Sequence, residues 1–200
     1  MAQWQLFAQP WWVNLLILIP VIAFWAWRKQ GLEIRRRQLL FIAIFAIAFG
    51  FVEAAVVVYL RAAVGLLPGY QGTLTDVQHS AAEFYKQAEA LRTFPQSLLE
   101  VELVREAATM VMLVAIALLS STRARERWAA FLWAFACWDI AYYGFLWLTV
   151  RWPRSIRDLD VLFLIPVPWL SQVWFPLLVS GFTLLAVANA TTRHKSIETK

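Results

Sequence analysis

Three acidic residues fall inside long apolar stretches of the chain. Glu53 stands in FVEAAVVVYLR, Glu106 in EVELVREAATMVML and Asp139 in AFACWDIAYYGFLWL. Glu102 precedes Glu106 by four residues, so their carboxylates share one helix face, with Arg105 beside them. Tyr142 and Tyr143 follow Asp139 at the three- and four-residue spacing that puts them on its side of a helix. Carboxylates are hard oxygen ligands, and two or three of them, with tyrosine hydroxyls and water, can hold a divalent cation. Acids placed close together can instead share protons, since like charges disfavour each other's ionisation. The alternative chemistry is structural: interhelical Glu–Arg and Glu–Tyr pairs, for which Arg61, Arg105 and Arg151 are the basic candidates.

The elements that must carry these residues follow from composition. Of 200 residues, 61% are hydrophobic and 16% charged, against about 45–50% and about 25% in soluble domains. A water-soluble globule and a disordered chain are both excluded. A bilayer core of roughly 30 Å needs about 20 apolar residues per helix. Five stretches meet this, at about 10–27, 38–60, 98–119, 128–150 and 161–190. The sequence therefore predicts an all-α, polytopic bundle of five transmembrane helices, one domain over 1–200, with an outer loop at 63–97. At the helical rise per residue, Glu53 and Glu106 lie about 10–12 Å below the outer ends of their helices, and Asp139 about 17 Å below. An ionised carboxylate at such depth costs a few kcal/mol and marks a functional site by default.

Orientation is read from Lys and Arg. Arg28, Lys29, Arg35, Arg36, Arg37, Arg123, Arg125, Arg127, Arg193, Lys195 and Lys200, eleven of the 18, fall on one side. That side is expected to be cytoplasmic, which puts the N-terminus outside and the C-terminus inside the cell membrane. The net charge of +5 is then a topology signal on short flanks, and no nucleic-acid partner is expected. The first stretch has neither a basic leader nor a small-residue cleavage site and reads as a retained anchor.

The outer loop opens with GLLPGYQG, then turns helical from Thr75, with apolar residues at three- and four-residue spacing up to Pro95. A short amphipathic helix on the membrane surface is expected there. His79 and Glu83 stand four apart on its polar face, as metal ligands or as a solvated pair. Asp158 and Asp160 alternate with Arg154 and Arg157 in an interfacial charge cluster. Asp160 could also cap the fifth span or reach the acids. Pro166, Pro168 and Pro176 predict a bent or re-entrant start to that span, with regular helix from about Val173. Ala46, Gly50 and Ala54 form a small-residue row for close helix approach.

No span carries His or Lys, which excludes a bis-His b-type haem and a retinal Schiff base. Ser120, Ser121 and Ser180 have no nearby His in sequence, and Cys137 reads as packing. Three functions fit. The leading one is a carboxylate site of Glu53, Glu102, Glu106 and Asp139 that binds a divalent cation or relays protons. Tyr142, Tyr143, Arg105, Asp160 and His79 would support it. The second is a metal-dependent membrane enzyme acting on a lipid-borne substrate. The third is an accessory subunit of a larger membrane complex. The expected partners are the lipid bilayer and a homo-oligomeric or membrane partner subunit.

Overall fold

The computed structural model describes residues 7–63 and 96–198. The amphipathic segment expected around His79 and Glu83 lies outside the described residues. The chain is mostly helical. A 3₁₀ run, Trp11–Ile17, leads into α1 (Leu18–Trp27). There follow α2 (Arg36–Ala63), α3 (Gln96–Ser120), α4 (Ala124–Val150) and α5 (Trp174–Glu198). Four of these, α2 to α5, contain stretches long and apolar enough to cross a membrane. The segment Trp11–Trp27 is apolar but shorter.

Local chemistry sets the boundaries. The Asn14 side chain pins the 3₁₀ run by donating to the carbonyls of Ala8 (2.9 Å) and Trp11 (2.8 Å). Gly31, at φ 66°, ends α1, its N–H donating to the Trp27 carbonyl at 2.9 Å. Gln38 reaches back from the first turn of α2 to accept the Arg35 N–H at 2.9 Å, half of a capping box. The turn between α1 and α2 is held from outside by Glu126 of α4. Its buried carboxylate accepts the N–H groups of Glu33 (3.1 Å) and Ile34 (2.9 Å).

The all-α expectation gives way at residues 159–172. The stretch expected to begin the fifth helix forms an antiparallel hairpin of β1 (Leu159–Phe163) and β2 (Trp169–Gln172). Leu159 pairs with Gln172, Asp160 with Ser171, Val161 with Leu170 and Phe163 with Trp169. Part of the physical reason is local. Pro166 and Pro168 cannot sit in a helix interior, and the flanking Val, Phe and Trp side chains favour strand. The expected re-entrant segment thus exists as a hairpin, and regular helix resumes at Trp174. The hairpin folds back into the helices: Phe163 stacks on Phe135 of α4 with centroids 6.2 Å apart. By the helical rise, Phe135 lies about 22 Å from the Val150 end of α4. The N-terminal segment meets the edge of β2 in a single bridge, where Gln9 and Leu170 exchange N–H···O bonds of 2.8 and 2.7 Å.

Helix α4 is central, packing on α2, α3 and α5, while α1 packs on α5. The small-residue row is internal here. A Cβ added to Gly50 would meet the Trp138 carbonyl oxygen at 2.9 Å and the Ala141 Cβ at 3.0 Å. Because the first of these is backbone, α2 and α4 would have to separate. Gly50→Ala is therefore expected to destabilise the fold by about 1–3 kcal/mol, seen as a lowered thermal midpoint in detergent. Gly144 has open space at its Cβ position, so Gly144→Ala should leave the midpoint nearly unchanged.

Candidate functional site

A cavity of about 600 Å³ lies between α3, α4, α5, the hairpin and the start of the chain. Most of its wall is apolar. Phe135 and Trp138 of α4 and Phe163 and Trp169 of the hairpin form an aromatic side, with neighbouring centroids 5.3–6.3 Å apart. Leu16 and Ile19 line it from the N-terminal segment, Met110 from α3. The polar lining comprises Glu53, Glu102, Arg105, Glu106, Thr109, Asp139, Tyr142, Tyr143, Asp160, Ser180 and Thr183.

The acids reach this cavity through two polar networks. The first joins α2 to α3. Glu53 is buried and forms an ion pair with Arg105, which also donates to Glu102 through Nε (2.9 Å) and Nη2 (2.7 Å). Thr109, one turn after Arg105, donates its hydroxyl to Glu53 Oε1 at 2.6 Å. A guanidinium between two carboxylates offers planar donors to both and offsets much of the cost of burying them.

The second network ties the hairpin to the helices. Glu106 accepts the Leu164 N–H at 2.8 and 3.1 Å, closing the backbone where β1 ends. Asp160, only 1% exposed, accepts the Tyr143 hydroxyl at 2.5 Å and the Val161 N–H at 2.8 Å. Asp139 accepts the Ser180 hydroxyl of α5 at 2.8 Å. Asp139 and Asp160 line the same cavity. Tyr142 stacks on Trp138 at 6.1 Å.

Glu53, Glu102, Glu106, Asp139, Arg105, Tyr142, Tyr143 and Asp160 therefore all line one cavity, whereas His79 lies outside the described residues. They do not converge on one point. Among the described residues, no three His, Cys, Asp or Glu side chains are grouped to hold a metal ion. Glu102 and Glu106 share a helix face but serve different partners. Asp160 does not cap α5, which begins beyond the hairpin. Asp158 parts from it and caps a turn, accepting the Arg154 N–H (2.8 Å) and Ser155 N–H (3.1 Å). Arg151 lies with its guanidinium over the Trp147 ring, 4.6 Å from the centroid. Thr109 and Ser180 are site residues that sequence reasoning missed. Thr109 had a spacing signal, one turn from Arg105, whereas Ser180, six residues into α5, had none.

The chain matches no protein-family model, no curated protein and no solved structure.

Removing one partner of a buried pair leaves an uncompensated charge. Arg105→Met is expected to cost about 3–5 kcal/mol of stability. Adding Glu53→Gln to it should restore part of the loss. Thermal unfolding of the single and double variants checks the coupling; independent, additive effects would contradict the pairing.

Proposed function

We propose that this is a multi-pass protein of the cell membrane that binds a lipid-borne amphiphile in the cavity among α3, α4, α5 and the hairpin. The carboxylates would meet or exchange protons with the polar end of that molecule. One observation carries the reading: an internal space of about 600 Å³, mostly apolar, with its polar groups concentrated in buried acids and one arginine. That volume lies within the range of small-molecule sites, which are mostly apolar with a few placed polar groups. Four long apolar helices and the Trp-rich walls support a bilayer setting. The 3₁₀ run adds length to α1. At about 2.0 Å per residue over Trp11–Ile17 and 1.5 Å over Leu18–Trp27, the segment reaches about 29 Å, enough for a fifth crossing. With the positive flanks cytoplasmic, the N-terminus is outside, the C-terminus inside, and the acids open toward the outer face.

A divalent cation is the less favoured occupant. Arg105 already supplies the positive charge between Glu53 and Glu102, and no three ligating side chains converge among the described residues. Proton exchange is the second reading, favoured by Asp139 and Asp160 lining one cavity and by the neutral hydroxyls of Ser180 and Tyr143 bonded to them. Catalysis on a lipid-borne substrate and a role as an accessory subunit would both build on the same cavity.

Ala136 is a buried residue of α4 on the cavity wall. Ala136→Phe should fill part of the space. The protein purified into nanodiscs is expected to carry a lipophilic molecule enriched over bulk lipid, identified by mass spectrometry of the extract. The variant should lose it while still unfolding in one cooperative transition. No enriched molecule in the wild type would contradict the reading.

A further inference from the structure

The cavity is unbalanced in charge. Among the described residues lining it stand the carboxylates of Glu53, Glu102, Glu106, Asp139 and Asp160, against the single guanidinium of Arg105. Arg105 is taken up by Glu53 and Glu102. The hydrogen bond that Asp139 accepts comes from the neutral Ser180 hydroxyl, and Asp160 lines the same cavity. Asp139 is buried on α4, directly after Trp138 and about one turn before Tyr142, and the rings of Trp138 and Tyr142 stack at 6.1 Å. Trp138 in turn packs on Phe135 (5.5 Å) and Phe163 (6.3 Å).

An aromatic wall presents the negative faces of its rings. A buried carboxylate beside such a wall is matched by a soft, weakly hydrated cation, which gains from both and loses little water on transfer. An anionic head would find one arginine, already engaged by two carboxylates. A neutral head would add no charge to pair with Asp139, whose partner in the structure is the Ser180 hydroxyl. The hydrocarbon portion has its own wall in Leu16, Ile19 and Met110. Resting on the cavity reading above, we propose that the ligand is a cationic amphiphile. Its alkylated amine or quaternary ammonium head lies at Asp139, within the aromatic side of the cavity, and its chain runs along Leu16, Ile19 and Met110.

The test uses three ω-brominated dodecyl probes with trimethylammonium, hydroxyl and sulfate heads. Each is titrated by mole fraction into nanodiscs of phosphatidylcholine holding the full chain. Bromine quenches tryptophan fluorescence on contact, and the part of the quenching lost in Ala136→Phe reports the cavity. The ammonium probe is expected to saturate that part at about one tenth the mole fraction of the alcohol, with the sulfate weaker still. Asp139→Asn keeps the shape and an acceptor for Ser180, and it should bring the ammonium probe close to the alcohol. Equal binding of ammonium and alcohol in the wild type would overturn the proposal and leave the cavity reading standing, as would tightest binding of the sulfate. Quenching by all three probes that Ala136→Phe does not change would overturn the cavity reading as well. If Asp139→Asn fails to fold, the order of the three probes on the wild type still decides.

Discussion

A β-hairpin folded into a helix bundle must find partners for its backbone inside the protein. In hydrocarbon there is no water to accept a strand's unpaired N–H groups, and each one left alone costs several kcal/mol. The rest of the site follows from that constraint. Residues 159–172 meet it by pairing with each other, by taking Gln9 along the β2 edge and by ending β1 on the Glu106 carboxylate. Pro166 and Pro168, in the turn, have no N–H to satisfy. Asp160 is drawn inward with the strand and bonds Tyr143 of α4. Of the acids lining the cavity, Glu106 and Asp160 thus serve hairpin N–H groups, while Glu53, Glu102 and Asp139 are bonded by helix side chains.

The same interactions leave a space. Because the hairpin, rather than a fifth straight helix, fills the region between α3 and α5, side chains of the strands replace a continuous helical ridge, and the cavity lies behind Phe163 and Trp169. Helix α2 reaches this region mainly through polar links, the Glu53–Arg105 pair and the Thr109 hydroxyl. Its close packing is with α4, along the row that includes Gly50. Structure and binding capacity therefore share residues: substitutions at Glu53 or Glu106 act on the helices or the hairpin as well as on anything bound.

How much of this was legible in the sequence differs by element. Apolar length and positive flanks located α2, α3 and α4 to within a few residues, since a helix that size announces itself through composition. The depth of Glu53, Glu106 and Asp139 came from the helical rise alone, and all three do line one cavity. The prolines before α5 signalled a departure from helix. That it is a hairpin depends on Glu106, 58 residues away, and on Gln9, more than 150 residues away, and such long-range partners leave no local trace. For the same reason Glu126, which reads as an ordinary charge on a basic flank, is a buried cap for the turn between α1 and α2. Charge type was readable, whereas the choice of partner was not.

The most direct measurement of the hairpin's place in the bundle is hydrogen–deuterium exchange of the backbone over residues 159–172 in lipid nanodiscs. Amides of β1, β2 and Leu164 are expected to exchange slowly in the wild type. Glu106→Gln should speed exchange around Leu164 while leaving α4 protected. Rapid exchange across the whole segment in the wild type, as in an open loop, would contradict the buried hairpin and with it the cavity that it walls.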